Sequence, residues 1–279
     1  MRNDFGVIII SHGRPECETV KTLRASGYSG NIYIVVDDED NTKDEYIRLY
    51  GDHVHIFHKT DNFDLCDLGG SKKSAVYARN ECIKVAEKQN LTYYLELDDD
   101  FSEICFRYAE DDKLQTKMAT DLDVVFGACL ELLKTTPITW LSFGLSSDYI
   151  GGVENDRFQS GMFRKTMGSF FMKAEDKVKF TMRMNDDITT CVLNGMRGKL
   201  FYTLSSIMVI TPATQHMGGG MTDIYKLNGT YRKSFYSVMS CPSCVKVSAM
   251  GIKDFRIHHE IKWNNAVPKL LNERWCKHD

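Results

Sequence analysis

Three consecutive aspartates follow a short apolar segment in the first half of the chain. Residues 93–97 are mostly apolar and lead directly into Asp98, Asp99 and Asp100. Clustered carboxylates repel one another and are costly to bury unless a cation shares the site. At the carboxyl end of a buried strand, Mg²⁺ or Mn²⁺ can bridge such carboxylates to the phosphates of a nucleotide. An acidic turn that caps the following helix is the alternative, since Asp is a good N-cap residue.

Apolar runs alternate with amphipathic stretches through residues 1–100. The predicted strands are residues 7–11, 31–36, 53–57 and 93–98, and the predicted helices are residues 17–26, 42–50 and 71–88. This alternation indicates an α/β fold with a mostly parallel central sheet, right-handed crossovers and flanking helices. Ligands of such sheets bind outside the carboxyl ends of the strands. Polar clusters follow three of those ends, at residues 11–15, 37–40 and 98–100.

The second half of the chain is less regular. Apolar runs predict strands at residues 138–143, 170–172 and 200–210, and residues 185–194 are predicted to form a short helix. A run of three glycines at residues 218–220 predicts a flexible loop, of the kind that often closes over a substrate.

Length and composition are those of one large globular unit. The chain has 279 residues, of which 43% are hydrophobic and 26% are charged, as is usual for a soluble α/β domain. Its first apolar run, Val7 to Ile10, is far too short for a signal peptide or a membrane span. We therefore expect a cytoplasmic protein without a membrane partner, whose nine cysteines are reduced thiols.

The charges are distributed unevenly along the chain. Residues 1–156 carry 16 Lys and Arg against 29 Asp and Glu, whereas residues 157–279 carry 19 against 9, for a net charge of -3. An acidic first half suits a metal site, and a basic second half suits a polyanion, nucleic acid above all. Ordinary solvation of the surface by Lys and Arg is the alternative.

Neither of the common glycine-rich phosphate-binding motifs follows a predicted strand. The sequence has no Walker A pattern and no G-x-G-x-x-G fingerprint at those positions. The absence of these motifs argues against most P-loop and Rossmann-type nucleotide-binding proteins. The charge of a bound phosphate is then more readily met by a metal ion than by a glycine cradle.

Several short motifs occur in an order typical of GT-A glycosyltransferases. They are Ser11-His12-Gly13-Arg14-Pro15, Gly27-Tyr28-Ser29-Gly30 leading into residues 32–40, Ala78-Arg79-Asn80, and Leu97-Asp98-Asp99-Asp100. With these motifs the chain resembles the small phage and bacterial TET-associated glycosyltransferases over residues 5–101. The resemblance implies transfer of a sugar from a nucleotide-sugar to an oxidised DNA pyrimidine such as 5-hydroxymethylcytosine.

The resemblance also implies a GT-A fold and roles for the polar clusters. Asp98 and Asp100 are expected to hold Mn²⁺ or Mg²⁺, with His216 from a late loop as a third metal ligand. The residues expected to contact the nucleotide are Ser11, His12, Arg14, Asp37, Asp38, Arg79, Asp98 and Asp99. Asp37 and Asp38 match the base and ribose positions, which favours a UDP-sugar, because a carboxylate can accept a hydrogen bond from the uracil N–H.

A second acidic motif is expected to supply the catalytic base. Met184-Asn185-Asp186-Asp187 resembles the motif at a helix start in inverting GT-A enzymes, whose last acid takes the proton from the acceptor hydroxyl. Asp187 is therefore the expected general base. Asp186, which stands where the family often has Glu, is expected to be catalytic as well. A helix-capping acid is the alternative for Asp187. For Arg79, the alternative to nucleotide contact is an ion pair with the carboxylate cluster.

Two further patterns in the second half allow a functional and a structural interpretation. Cys241 and Cys244 could take part in a zinc site but supply only two of four ligands. The candidates downstream are His258, His259, Cys276 and His278. Aromatic and basic residues alternate at Tyr225, Tyr231, Arg232, Lys233, Phe235 and Tyr236. Such a stretch could grip a phosphate backbone and stack on a base, or form an ordinary strand with one solvated face.

Together these features predict a metal-dependent glycosyltransferase acting on a hydroxymethylated pyrimidine in DNA. Residues 1–150 are expected to bind the nucleotide-sugar and residues 151–279 the acceptor, packed as one compact GT-A domain. The basic residues expected beside the mouth of the site are Arg164, Lys165, Arg232 and Lys233. The alternatives are a GT-A transferase for a protein, polysaccharide or small glycan, and a non-catalytic nucleotide-sugar or DNA-binding module.

Overall fold

The computed structural model describes residues 1–59, 74–146, 148–149, 151–159, 165–211, 231–250, 256–267 and 273. Its strands are β1 (Phe5–Ile10), β2 (Asn31–Asp37), β3 (Val54–Phe57), β4 (Tyr93–Asp98), β5 (Glu103–Glu110), β6 (Lys113–Met118), β7 (Ile138–Leu145), β8 (Ser169–Lys173), β9 (Leu200–Ile210), β10 (Val245–Met250) and β11 (Arg256–Ile261). Its α-helices are α1 (Glu18–Ala25), α2 (Lys43–Tyr50), α3 (Val76–Lys88), α4 (Leu122–Thr135), α5 (Asp156–Gln159), α6 (Asp186–Gly195) and α7 (Tyr231–Ser240). None of these helices is long and apolar enough to cross a membrane.

Among the described residues, nine strands form one sheet in the order β3-β2-β1-β4-β8-β7-β9-β5-β6. The four strands from β3 to β4 are all parallel. The sheet then becomes mixed, because β8 is antiparallel to both β4 and β7, while β7 and β9 are parallel. The predicted α/β class with a parallel core is confirmed, and strands from residues 1–150 and from residues 151–279 share this sheet.

Strand β1 shows why an uninterrupted apolar run predicts a central strand. All of its residues are buried. Val7 and Ile9 belong to the core on the α4 side of the sheet, and Ile8 and Ile10 to the core on the α3 side. Because successive side chains of a strand point to opposite faces, a strand covered on both faces must be apolar throughout.

The sequence pattern predicts no element for residues 103–135, where the structure has the β5–β6 hairpin and α4. Strand β6 is an edge strand whose side chains are exposed or half-buried, so it shows no apolar run. Helix α4 begins after Asp121, whose carboxylate accepts a hydrogen bond from the N–H of Val124 at 3.2 Å. This is an ordinary N-cap, with the capping carboxylate bound to an otherwise unpaired N–H of the first turn.

The basic and aromatic stretch predicted from Tyr225 onward is a helix from Tyr231, and Tyr225 lies outside the described residues. Its interpretation as a strand with one solvated face is therefore wrong for the described residues, which form α7. Ser234 and Ser237, one helical turn apart, are buried together with Tyr236. This spacing follows the helical period rather than the period of two that a strand requires.

Helix α7 and the antiparallel pair β10–β11 pack against α6. The apolar cluster between them consists of Ile188, Val192, Cys241, Cys244, Val245 and Ala266. The end of α6 approaches this unit closely at Gly195, where an added Cβ would clash with the carbonyl oxygen of Ala266. A side chain at position 195 would therefore force the backbone apart.

Two helical glycines provide a matched test of this packing. We expect Gly195→Ala to lower the free energy of unfolding by about 1–3 kcal/mol, because the backbone of Ala266 must shift. Gly127→Ala on α4 meets no atom within 4 Å, so it should raise stability by about 0.5–1 kcal/mol through helix propensity. Urea denaturation of both variants measures the difference. Equal shifts for the two variants would contradict the close approach at Gly195.

Candidate active site

Helix α1 holds the backbone of the acidic turn that follows β4. Thr19 Oγ1 donates to the carbonyl of Asp98 at 2.7 Å and accepts from the N–H of Phe101 at 2.9 Å. The N–H of Thr19 donates to the carbonyl of Asp99 at 3.2 Å. These bonds pair backbone groups of the turn and of the helix start, so the carboxylates project from a well-determined backbone.

The aspartates of this turn have different surroundings. The side chains of Asp98 and Asp100 are 34% and 28% exposed, whereas Asp99 is buried. Asp99 Oδ2 accepts from Ser11 Oγ at 2.5 Å, and its Oδ1 lies 2.7 Å from Arg14 Nη2. Burial raises the pKa of Asp99 to about 6, against the opposing effect of Arg14. Asp99 therefore anchors the loop after β1, and its two neighbours are the aspartates open to a ligand.

Arg79 on α3 connects the acidic turn to the start of α6. Its Nη1 donates to Glu96 at 2.8 Å and its Nη2 donates to Asp98 at 2.9 Å. Its Nε donates to Asp186, also at 2.9 Å. The structure thus contains the ion pair that was the alternative for Arg79, and contact between Arg79 and a nucleotide stays a prediction.

Aromatic rings and several carboxylates surround the guanidinium of Arg79. It lies over the rings of Phe170 and Phe180, at 5.1 and 5.4 Å from their centroids. Glu96 is fully buried, and burial raises its pKa to about 7 although Arg79 favours the ionised form. Burial also raises the pKa of Asp186, and neighbouring carboxylates add to the effect. The single positive charge of Arg79 does not offset all the negative charge around it.

Asp186 and Asp187 open α6 in different environments. The side chain of Asp186 is 16% exposed and is held by Arg79. Asp187 is half-buried, and its Oδ1 accepts from the N–H of Ile188 at 2.7 Å. This bond lies within the first helical turn, but the N-cap residue of α6 is Asn185, so Asp187 is not the capping acid. The side chain still has partial access to solvent, so the catalytic role stays a prediction.

Asn185 connects the start of α6 to α7 and β11. Its backbone is left-handed, with φ of 55°, a conformation that Asn tolerates better than most residues. Its Nδ2 donates to the carbonyl of Lys233 at 3.1 Å and to Ser237 Oγ at 3.0 Å, and it lies 3.2 Å from His259 Nδ1. Burial lowers the pKa of His259 to about 3, so the ring beside this amide is neutral.

Asp37 and Asp38 follow β2, and each is paired with basic side chains. Asp37 lies 2.7 Å from His12 Nδ1 and 2.8 Å from Lys59 Nζ. Burial alone would raise the pKa of Asp37, but the bonds from His12 and Lys59 outweigh it and lower the value to about 2. A hydrogen bond from His58 at 2.6 Å lowers the pKa of Asp38. Both carboxylates are therefore ionised at neutral pH.

Three residues to which the sequence patterns assign no role complete this edge of the sheet, although one of them, Asp40, lies in the predicted polar cluster at residues 37–40. Lys59 follows β3, so the rule that ligands gather beyond strand ends was the signal that could have found it. Asp40 Oδ2 accepts from the N–H of Gly13 at 2.7 Å and so joins the loops after β2 and β1. Tyr46 on α2 lies with its OH 2.6 Å from Ser11 Oγ. No local pattern distinguishes Tyr46 from any other tyrosine on the buried face of a helix.

The TET-Associated Glycosyltransferase family matches residues 5–220. The chain belongs to this family. The resemblance carried by the short motifs is confirmed, and the protein is a glycosyltransferase. A comparison with curated proteins finds no match.

Two solved structures of glucosyl-3-phosphoglycerate synthase from Mycobacterium tuberculosis are similar to this glycosyltransferase. The complex with Mg²⁺ and UDP has a TM-score of 0.50 and 9% identity, covering 92% of this chain and 87% of that chain. The complex with Mn²⁺, UDP-glucose and phosphoglyceric acid has a TM-score of 0.50 and 10% identity, covering 90% of this chain and 85% of that chain. At this level of identity the likeness concerns the fold, and it confirms the GT-A type.

Asp98 and Asp100 of this glycosyltransferase suit a hard divalent cation that is shared with phosphate. Burial raises the pKa of Asp100, and the charge of Asp98 adds to the effect. In the part of the chain that the structure describes, no three His, Cys, Asp or Glu side chains form a group that could hold a metal alone. Two carboxylates completed by phosphate oxygens and water are a common donor set for Mg²⁺. His216, the predicted third ligand, lies outside the described residues.

The described residues give the zinc interpretation no support. Cys241 and Cys244 are buried in the apolar cluster beside α6. No three His, Cys, Asp or Glu side chains of the described residues, His258 and His259 included, form a group that could hold a metal ion. Cys276 and His278 lie outside the described residues.

The basic residues predicted at the mouth of this glycosyltransferase are only partly described. Arg232 and Lys233 lie in the first turn of α7, and the carbonyl of Lys233 is bonded to Asn185 beside the start of α6. Lys165 Nζ lies 3.0 Å from an aspartate in the loop after β7. Arg164 lies outside the described residues. The position of α7 therefore brings two of the four predicted residues near the second acidic motif.

The raised pKa of Glu96 predicts a dependence of stability on pH. The pKa is raised from an ordinary value of 4.5 to about 7, so the native state binds more protons than the unfolded chain between these values, and stability falls as pH rises. From pH 5 to pH 8 in EDTA, we expect the wild type to lose on the order of 2 kcal/mol more than Glu96→Gln, which mimics the protonated acid.

Urea denaturation at several pH values measures this difference. Glu110→Gln, on the exposed part of β5, is the control and should follow the wild type. Parallel curves for the wild type and Glu96→Gln would show that Glu96 does not titrate in this range.

Proposed function

We propose that this glycosyltransferase moves a sugar from a UDP-sugar to a hydroxymethylated pyrimidine base in DNA, with Mn²⁺ or Mg²⁺ as cofactor. The observation that carries the proposal is the bonding of Arg79 to both Asp98 and Asp186. It joins the carboxylates suited to a cation and a diphosphate to the helix start that bears Asp187. A donor site and a candidate base are thereby adjacent, as a single-displacement transfer requires.

The donor assignment is supported by the ligands of the similar fold and by the charges at the strand ends. The glucosyl-3-phosphoglycerate synthase structures were solved with UDP or UDP-glucose and with Mg²⁺ or Mn²⁺. Asp98 and Asp100 are the residues that would hold the ion here, and a bound ion would neutralise the leaving diphosphate. Asp37 and Asp38, ionised at neutral pH, would accept hydrogen bonds from the base and ribose.

Asp187 is proposed to act as the general base. It takes the proton from the acceptor hydroxyl while that oxygen forms a bond to the anomeric carbon of the sugar. The bond from that carbon to the diphosphate oxygen breaks, and the electron pair leaves with the diphosphate. Asp186, held by Arg79 at 2.9 Å, orients the helix start and keeps Asp187 beside the donor. We assign Asp186 to positioning for this reason.

The DNA acceptor is supported by family membership and by charge. The matched family is named for its association with TET proteins, and residues 157–279 carry 19 Lys and Arg against 9 Asp and Glu. A base inside a duplex cannot reach a cleft, so the enzyme would extrude it or act on distorted DNA. The reaction would take place in the cytoplasm, of the host if the protein is encoded by a phage.

The activity test supplies Mn²⁺, a mixture of nucleotide-sugars and hydroxymethylated DNA, followed by digestion to nucleosides and mass spectrometry. A hydroxymethylated nucleoside heavier by one sugar is the expected product. Asp187→Asn should lower kcat about a hundredfold or more, because general base catalysis commonly contributes that much. Calorimetry should show unchanged UDP affinity for this variant.

Each assignment has its own contrary result. Loss of UDP affinity in Asp187→Asn would make Asp187 a structural or metal-site residue. Full activity in excess EDTA would exclude the metal role of Asp98 and Asp100. Transfer to a glycan or protein but not to DNA would replace the acceptor assignment while keeping the donor assignment.

The basic start of α7 predicts a salt-dependent affinity for DNA. Arg232→Ala/Lys233→Ala should flatten the plot of log affinity against log salt by about one unit for each lost phosphate contact. The substitution keeps the backbone carbonyl of Lys233 that bonds to Asn185. Lys84→Ala/Lys88→Ala on α3 removes the same charge and should leave the slope unchanged. Equal slopes for both double variants would exclude α7 from the DNA interface.

A further inference from the structure

Two arginines accompany the two aspartates of the proposed metal site, and they are held in different ways. Arg79 is buried and bonded to three carboxylates, one of which is Asp98. The side chain of Arg14 is 39% exposed, with Nη2 2.7 Å from Asp99 Oδ1 and Nη1 3.6 Å from Asp100 Oδ2. Of the two ion pairs that Arg14 forms, the one with Asp100 is longer and more exposed to solvent than the one with Asp99, so it is the weaker of the two.

The position of Arg14 does not depend on Asp100. Asp99 is buried and holds one nitrogen of the guanidinium, while its other oxygen accepts from Ser11 Oγ. The backbone N–H of Arg14 donates to Tyr46 OH at 2.9 Å, and this hydroxyl in turn lies 2.6 Å from Ser11 Oγ. Arg14 can therefore give up Asp100 and still be retained at the acidic turn by its other contacts.

We propose that Arg14 is a resident counter-ion of Asp100, which a divalent cation displaces together with binding of the nucleotide-sugar. The proposal rests on the proposed function of the same site. A cation alone must compete with the guanidinium for Asp100. When the cation arrives bound to a diphosphate, the negative charge of the diphosphate is enough to retain both the cation and the guanidinium of Arg14. Arg14 is then available to neutralise that diphosphate.

This exchange gives Arg14 two effects of opposite sign. Without a nucleotide, Arg14 weakens metal binding because it occupies Asp100. With a nucleotide, it supports the complex through the diphosphate. The affinities for metal and nucleotide are therefore coupled, and by linkage each ligand raises the affinity for the other by the same factor. Arg79 cannot act in this way, because its three carboxylate bonds and its apolar surroundings fix it in place.

Binding of Mn²⁺ to the nucleotide-free protein tests the exchange without any turnover. Free Mn²⁺ is measured by electron paramagnetic resonance, first in the absence of UDP and then at saturating UDP. Arg14→Gln should bind Mn²⁺ about two- to fivefold more tightly than the wild type without UDP, the range expected when a partly exposed ion pair is released. The increase in Mn²⁺ affinity caused by UDP should be smaller in Arg14→Gln than in the wild type.

Arg48→Gln is the matched control, because it removes the same charge from an exposed pair with Glu45 on α2. Its Mn²⁺ affinity should equal that of the wild type. Arg14→Lys, which keeps the charge but not the two-pronged geometry, should lie between the wild type and Arg14→Gln. Thermal denaturation of each variant checks that it is folded.

The results separate this proposal from the proposed function. Equal Mn²⁺ affinities for Arg14→Gln and Arg48→Gln would overturn the exchange and leave the metal site intact. No Mn²⁺ binding by the wild type, even with UDP, would overturn the metal site and the exchange together. The expected affinities with no transfer to DNA would uphold the exchange and overturn only the acceptor assignment.

Discussion

The acids at the centre of this glycosyltransferase repel one another, and the guanidinium of Arg79 is what allows them to be gathered. It donates to Glu96, Asp98 and Asp186, and so joins α3, β4 and α6 at one point. Removing one partner of a buried ion pair leaves a charge without compensation and commonly costs about 3–5 kcal/mol. Even with Arg79 in place, Glu96 retains a raised pKa of about 7. Burial is the main cause of this rise. The one guanidinium faces three carboxylates, so the site suits a further cation.

The apolar setting of Arg79 gives the site its geometry. Phe170 of β8 and Phe180, from the segment before α6, lie against the guanidinium. In such a low-dielectric environment charge-assisted hydrogen bonds are stronger and less screened than at the surface. The end of β4 and the start of α6 are therefore held in one arrangement, although they come from distant parts of the chain. A transferase that must align a donor and an acceptor needs this degree of order, since small misplacements are costly in rate.

The start of α6 is also held by residues beyond the family match, which ends at residue 220. Asn185 bonds to α7 and contacts His259 on β11. Burial lowers the pKa of His259 and keeps its ring neutral beside the amide of Asn185. The candidate base Asp187 thus lies two positions after Asn185, which is held by α7 and β11. The start of α7 also carries the basic residues Arg232 and Lys233.

The sequence by itself determined the α/β class, strands β1 to β4 and the family, because apolar runs, strand ends and short motifs are local features. It did not predict β5, β6 or α4. For β6 the reason is that this edge strand lacks an apolar run. It also indicated the acidic residues of the candidate site, but not the directions in which their side chains point. Only the tertiary structure decided that Asp99 points inward to Ser11 and Arg14. The bond from Arg79 to Asp186 spans 107 positions in the chain, and a contact of that kind depends on how the sheet brings its elements together, which no local pattern encodes.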